Sequence, residues 1–165
     1  AQIYGNATIT GTNQITDNAL VYGKATLRGN VIVTGNAQIK GNANLYDHVR
    51  ISEHALISRD ATLRNNVHVS GFAHVTTSLD GNETITGDAI VDSPGDVFCI
   101  KSNTEKENSQ FPENNYITYT KSNDMWHHRH FYGTSKKLLR SAKTSNQRRF
   151  YKQLLKLVGK HPLFL

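Results

Sequence analysis

The chain lacks the features that stabilise disulfide-rich and membrane-spanning proteins. It has one cysteine, Cys99, among its 165 residues, which excludes an internal disulfide framework and is compatible with a reducing cytosol. Its apolar runs fall far short of the eighteen or so residues that a membrane-spanning helix needs, so no membrane span is expected. No signal peptide is recognisable at the start of the sequence. Together these absences predict a cytoplasmic protein.

Charge is distributed unevenly along the chain. Residues 1–95 contain six basic and eight acidic residues, a net charge of −2, whereas residues 96–165 contain thirteen and five, a net charge of +8. The two parts add to the net charge of +6 for the whole chain. The basic part favours an anionic partner, such as a phosphorylated ligand or nucleic acid. A solvated helical surface is the alternative interpretation.

Aliphatic residues recur at every sixth position of the first part. When the first hexad is written as residues 1–6, its third position is Ile, Leu or Val in all fifteen hexads. The frame continues to Ser78 and resumes at Glu83, so the four residues between them are interpreted as an insertion looped out at a corner. A six-residue period matches neither a helix nor a simple strand. It is typical of a β-solenoid, in which three hexads make one coil.

The residues within each hexad support short strands joined by tight corners. Positions 1 and 3 alternate with positions 2 and 4, so one pair points inward and the other outward. Position 5 is most often Gly and position 6 most often Asn, and both residues tolerate the backbone of a tight corner. In the unbroken frame up to Ser78, four hexads carry a residue other than Ala at position 1 and recur every eighteen residues: Asn13, Val31, Val49 and Val67. This second period predicts three hexads per coil and about five coils.

Residues 1–94 resemble the hexapeptide-repeat, left-handed parallel β-helix. Their Ala-x-Val-x-Gly-Asn pattern, as in Ile39–Asn42, is similar to solenoid arrays of bacterial and phage-type proteins that have no assigned activity. The left hand of the helix is implied by this resemblance alone. Hexapeptide acyltransferases use a histidine near a subunit boundary as a general base. The resemblance therefore also implies a trimeric acyltransferase as the alternative function.

Residues 95–165 predict a small basic α+β domain with three strands. The strands are predicted at Asp96–Ile100, Tyr116–Thr120 and Met125–Tyr132. The polar segment between the first two strands, Lys101–Asn114, is predicted to be a loop. The whole chain is therefore expected to be mainly β, with a solenoid followed by this domain.

Two helices are predicted to cover the small sheet. Thr134 or Ser135 caps the first helix, and the second helix follows Ser145 with apolar residues at helical spacing. The short sequences of the predicted strands resemble a C-terminal module that follows solenoid arrays in bacterial and phage proteins. They are Tyr116–Thr120, Met125–Trp126 and Phe131–Thr134.

Histidines are the candidate catalytic residues of the solenoid. His48 and His54 occupy corners, while His68 and His74 point outward from faces. Because His48 and His54 are one hexad apart, they lie on different corners and do not form one cluster. A histidine that replaces the usual corner asparagine is the favoured interpretation, and no catalytic residue is predicted.

A His-x-His sequence in the second part is the candidate metal site. Trp126, His128 and His130 are expected to share one face of a strand, but a third ligand is not evident. Packing of Trp126 into the small core is favoured over metal binding. Neither a metal nor a cofactor is predicted.

A cluster of basic residues near the two helices is the strongest candidate binding surface. Lysine offers a point charge to a phosphate and arginine a planar fork, although no recognisable nucleic-acid-binding motif accompanies the cluster. The predicted binding residues are Lys136, Lys137, Arg140, Arg148, Arg149 and Lys152, with Lys143 nearby. The leading hypothesis is a non-enzymatic, phage-derived binding or assembly protein.

The first coil is expected to need a partner. A solenoid end exposes unpaired backbone groups and apolar side chains, and the hexad at Ala1 is already regular. Another copy of the protein, or residues that precede Ala1, are therefore expected to cover it. Outward-facing Leu20, Ile32 and Leu56 offer lateral contacts as a second route to a homo-oligomer.

Overall fold

Three parallel β-sheets form the walls of a solenoid. The computed structural model describes residues 1–101, 116–128 and 131–160. Face 1 contains β1 (Gln2–Ile3), β4 (Leu20–Val21), β7 (Gln38–Ile39), β10 (Leu56–Ile57), β13 (His74–Val75) and β16 (Ile90–Val91). Face 2 contains β2 (Thr8–Gly11), β5 (Thr26–Gly29), β8 (Asn44–Asp47), β11 (Thr62–Asn65) and β14 (Leu79–Gly81). Face 3 contains β3 (Gln14–Ile15), β6 (Ile32–Val33), β9 (Arg50–Ile51), β12 (His68–Val69) and β15 (Thr84–Ile85).

The register of these sheets confirms a parallel solenoid of about five coils. Ile3 pairs with Val21, which is eighteen residues later, because each hexad supplies one strand and three hexads complete a coil. The left hand implied by the resemblance stays a prediction.

Positions 1 and 3 of each hexad fill the core of the solenoid. Ala37, Ile39, Ala43 and Leu45 are all fully buried. Small residues fit beside the corners and larger ones fill the middle of each face. Burying one large aliphatic side chain stabilises the fold by about 2 kcal/mol.

The corners of the solenoid use left-handed backbone. Gly11 has a φ of 99°, and a Cβ atom on it would lie 2.5 Å from the carbonyl oxygen of Gly29 in the next coil. Glycine is required there because the coils approach too closely for a side chain. Asp17 and Asp47 adopt positive φ at equivalent corners, a conformation that aspartate tolerates better than most residues.

The fifth coil is shorter than the others, so the predicted four-residue insertion is wrong. Leu79 is buried and pairs with Leu63, sixteen residues earlier (79 − 63 = 16), in strand β14. The segment is therefore part of the wall, and only Thr76, Thr77 and Ser78 separate Leu79 from Val75. The corner between faces 1 and 2 loses two residues, because Leu79 rather than a residue of the strict frame fills the core.

A four-stranded antiparallel sheet follows the solenoid. After a 3₁₀ turn at Pro94–Asp96, its strands run in the order β17 (Val97–Lys101), β18 (Tyr116–Thr120), β19 (Met125–His128) and β20 (Phe131–Thr134). We call it the terminal sheet. Helices α1 (Ser135–Ser141) and α2 (Ser145–Leu157) follow, with Thr134 and Thr144 as their N-caps.

The predicted third strand of this region is wrong in one respect. The segment Met125–Tyr132 forms two strands rather than one, because the chain reverses between His128 and Phe131, which pair with each other. No Gly, Pro, Asn or Asp marks that reversal in the sequence. The predicted loop Lys101–Asn114 lies outside the described residues from residue 102 onward. The predicted domain boundary at residue 94 stays a prediction.

The two faces of the terminal sheet have different partners. On one face, Tyr119 and Trp126 pack with Leu138, Leu154 and other apolar residues of the two helices. Because side chains alternate along a strand, the opposite row contains Cys99, Thr118, His127 and Tyr132, which are paired across the four strands. This second row faces the solenoid.

The terminal sheet and its turn supply hydrogen-bond partners to the last coil. The backbone N–H of Thr84 donates to Thr118 Oγ1 (3.1 Å), and that of Ile90 donates to Ser122 Oγ (2.9 Å). The Asn123 side chain donates to the carbonyl oxygen of Thr86 (3.1 Å). These bonds replace those that a sixth coil would make, so the terminal sheet caps this end of the solenoid.

The first coil has no such cover among the described residues. Ile3 is 50% exposed, whereas Val21 and Ile39, stacked below it, are fully buried. Exposing apolar side chains to water is unfavourable in free energy, and this is the physical reason to expect a partner at this end. The partner itself stays a prediction.

Candidate functional surfaces

The structure places the six predicted binding residues on the exposed sides of the two helices. In α1 they occupy positions i, i+1 and i+4, and α2 repeats this spacing. The helices bury Leu138, Leu139, Leu154 and Leu155 on their other sides. At 3.6 residues per turn, the three residues of each group lie within an arc of about 100° around the helix axis. We call the six residues the basic face: Lys136, Lys137, Arg140, Arg148, Arg149 and Lys152.

The basic face is not neutralised by acidic residues of the described chain. Asp124 is the last acidic residue in the sequence, and ten Lys and Arg residues follow it. None of the six side chains forms an ion pair within residues 1–101, 116–128 and 131–160, whereas Lys160 pairs with Asp124 at 3.4 Å. With respect to residues 1–101, 116–128 and 131–160, the positive charge of these exposed side chains is therefore uncompensated.

Asp124 makes its interactions inside the terminal module, which consists of the terminal sheet and helices α1 and α2. Its carboxylate accepts hydrogen bonds from the Ser135 hydroxyl (2.5 Å) and the Tyr119 hydroxyl (3.3 Å). Burial and the neighbouring carboxylate raise the pKa of Tyr119 to about 12, so its hydroxyl remains protonated and donates. Ser135 in turn accepts a hydrogen bond from the Trp126 indole (2.9 Å). This network fixes the start of α1 against the sheet and leaves Asp124 unable to neutralise the basic face.

The solenoid histidines are spread over three different environments. His48 is exposed at a corner, and His54 is exposed at another, where it hydrogen-bonds to Asn36 (3.1 Å). His74 lies on face 1 within 2.8 Å of Ser58 Oγ, and burial lowers its pKa. His68 lies on face 3. The separation of His48 from His54 agrees with the sequence analysis, and the acyltransferase alternative stays a prediction.

The predicted His-x-His sequence is only partly described. Trp126 and His128 lie on the helix-facing side of β19, as the strand alternation requires, while His130 lies outside the described residues. Trp126 is fully buried in the small core, as predicted. In the part of the chain that the structure describes, no three His, Cys, Asp or Glu side chains are grouped to hold a metal ion.

A buried seam between the solenoid and the terminal sheet was missed by sequence reasoning. Glu83 occupies the inward position 1 of its hexad, and burial raises the pKa of its carboxyl. One of its oxygens is buried without a hydrogen-bond partner among the described residues. Burial raises the pKa of the neighbouring Cys99 thiol to about 11, so this cysteine is a poor nucleophile. The unusual Glu83 in an Ala/Val column was the available signal.

A cleft beside this seam was also missed. It has a volume of about 430 Å³ and lies between a corner of the solenoid and the terminal sheet, with Phe72, Tyr132 and His127 among its lining residues. The sequence signal was a phenylalanine at a corner position that asparagine or histidine occupies in earlier coils.

Comparison with known proteins supports the solenoid repeat. A family model described as the YdcK β-solenoid repeat matches residues 1–12, which are the first two hexads. No curated protein and no solved structure matches the chain. The hexapeptide subtype and the likeness of the C-terminal part to phage-type modules stay predictions. No helix among the described residues is long and apolar enough to cross a membrane.

Proposed function

We propose that the chain is a non-enzymatic binding protein whose solenoid carries a nucleic-acid-binding module at its C-terminal end. The observation that supports this most strongly is the basic face. Six exposed cations lie on two helices, in a segment that contains no acidic residue after Asp124. A solvated helical surface does not need such exclusion of acidic residues, because mixed charges keep a surface equally soluble.

Nucleic acid fits the basic face better than a small anion does. The cations form two groups, one on each helix, and more than one group of cations suits a backbone of regularly spaced phosphates. No base-reading motif is evident, so binding is expected to be independent of sequence. Tyr151 is half-buried in the small core, so it is not proposed to stack on bases.

Salt dependence of binding to a labelled DNA duplex of arbitrary sequence tests this function. The wild-type chain should bind at low salt, and its affinity should fall linearly with added salt on logarithmic axes. Replacing Arg148, Arg149 and Lys152 together by Ala should lower affinity and reduce the slope by about one for each cation removed. Fluorescence anisotropy at several salt concentrations measures both quantities.

A matched variant separates the basic face from net charge. Lys24, Arg28 and Arg59 are exposed on the solenoid, and their replacement by Ala removes the same number of charges. This variant should retain most of the affinity and slope. Equal losses in both variants, or no binding at low salt, would contradict the proposal.

Other expectations about this chain remain proposals. Assembly into a homo-oligomer, a phage origin and a cytoplasmic location follow from the sequence reasoning above. Light scattering at micromolar concentration tests the first of them, because a strict monomer with a stable first coil contradicts it.

A further inference from the structure

The cleft between the solenoid and the terminal sheet has an aromatic wall. Phe72 is 71% exposed and Tyr132 is 48% exposed, and both line the cavity of about 430 Å³. The ring of His54 stacks on Phe72 with centroids 4.7 Å apart and an angle of 14° between the planes. The stacking holds the phenylalanine ring in place although most of it contacts solvent.

Packing does not account for an aromatic residue at this corner. Asn18 and Asn36 hold the equivalent position in earlier coils, where they hydrogen-bond to each other (3.2 Å), and Asn36 continues the column to His54. Phe72 interrupts this polar column, which has Asp88 at the next equivalent position. An exposed aromatic ring that a stacked neighbour fixes in place is a typical feature of a binding site rather than of a core.

The opposite side of the cleft is polar. The Glu53 carboxylate accepts a hydrogen bond from the backbone N–H of Gly71 (2.8 Å), which fixes its position. Ser70 and Thr86 add hydroxyl groups to the lining. Burial, with a smaller contribution from His68, lowers the pKa of His127, so its imidazole is neutral near pH 7 and can both donate and accept.

A glycine of the solenoid lies directly beside Tyr132 of the terminal sheet. A Cβ atom on Gly87 would lie 2.5 Å from the Tyr132 hydroxyl oxygen, so a side chain at residue 87 would displace this tyrosine. No lysine or arginine lines the cleft among the described residues. With Glu53 in the lining, an anionic ligand is disfavoured, which separates this site from the basic face.

We propose that this cleft binds a neutral pyranose ring of a glycan. The C–H face of the sugar would pack on Phe72 and Tyr132, and its hydroxyl groups would exchange hydrogen bonds with Glu53, Thr86 and His127. A sugar needs this combination of aromatic surface with fixed donors and acceptors of both kinds. The volume accommodates a single ring with its substituents. The proposal is independent of nucleic-acid binding by the helices.

Titration of the isotope-labelled full chain with methyl glycosides of glucose, galactose, mannose and N-acetylglucosamine tests the proposal. At least one glycoside should shift the amide resonances of Gly71 and Gly87 in a saturable manner at millimolar concentration. Phe72→Ala should abolish the saturable shifts, whereas Phe72→Tyr, which keeps the ring, should retain them. Because Phe72 is largely exposed, both variants should keep the melting temperature of the wild type.

Three results would overturn the proposal. The first is the absence of saturable shifts with every glycoside in the wild-type chain. The second is persistence of the shifts in Phe72→Ala, which would place the sugar elsewhere. The third is a tighter response to tetramethylammonium than to any glycoside, which would identify the cleft as a cation site formed by Glu53 and the aromatic rings.

Discussion

The solenoid and the terminal module build their cores by different rules. In the solenoid, Ile39 contacts residues one coil before and after it, because the same inward position recurs every eighteen residues. In the terminal module, Trp126 packs against Leu154 and Leu155, which come from a helix far along the chain. A repeat gives each residue the same environment many times over, whereas a single small core gives each residue one environment of its own.

The surfaces of the two regions differ in the same way. Polar residues at the solenoid corners satisfy one another between coils, as in the hydrogen bonds from Asn42 to Asp60 (2.7 Å) and from Asn66 to Asn82 (3.0 Å). The cations of the basic face have no such partners among the described residues. Self-satisfied corners suit a rigid support, and uncompensated cations suit a ligand. This difference supports the proposal that an anionic partner binds the helices.

Disrupting the solenoid core tests the first half of the comparison most severely. Ile39→Asp should abolish folding, because the solenoid would bury an unpaired carboxylate at this position. Burying an unpaired charge costs several kcal/mol. Gln38→Asp, on the outward side of the same strand, should keep a cooperative thermal transition. Circular dichroism melting measures both variants. A soluble Ile39→Asp chain that melts cooperatively would refute the inward assignment.

The shortened fifth coil offers a sharper test of the same rule. Leu79→Ala should lower the free energy of unfolding by about 2–4 kcal/mol, because it leaves a cavity in the wall of the solenoid. Ser78→Ala, at the exposed neighbouring residue, should change it by no more than about 0.5 kcal/mol. Urea denaturation distinguishes them. Equal small effects would restore the looped-out insertion that the hexad frame predicted.

The smallest expected effect concerns the seam where the two regions meet. Because burial raises the pKa of Glu83, the stability that its protonated form contributes is complete below the pKa of the unfolded chain and is lost as pH rises through the folded pKa. Glu83→Gln should therefore raise the melting temperature at neutral pH, and the gain should vanish in acid. The exposed control Asp88→Asn should show no such increase at neutral pH. A gain for Glu83→Gln that is independent of pH would contradict burial as its cause.

Sequence reasoning succeeded where the pattern repeats. The alternation at Ile39 and its equivalents predicts both the strand and its inward direction, because each hexad repeats the same local rule. It failed at Leu79, because the six-residue frame does not assign an inward position to this residue. It also failed at the reversal after His128, because neither side of that turn carries a residue that marks a break in the strand.

The two candidate surfaces also differ in how far the sequence predicts them. The basic face follows from composition and helical spacing, so its residues could be named from the sequence. The cleft joins Glu53, Phe72, His127 and Tyr132 from distant parts of the chain, and no spacing links a solenoid corner to a strand of the terminal sheet. Their encounter depends on how the sheet docks onto the last coil.

By itself, the sequence determined the coil period, the direction of the inward side chains and the positive charge of the final segment. These properties are local or compositional, so they do not depend on which distant elements meet. The tertiary structure alone decided that Leu79 enters the wall, that Glu83 becomes buried and that Phe72 faces Tyr132. Each of these depends on packing between segments that the chain brings together only when it folds.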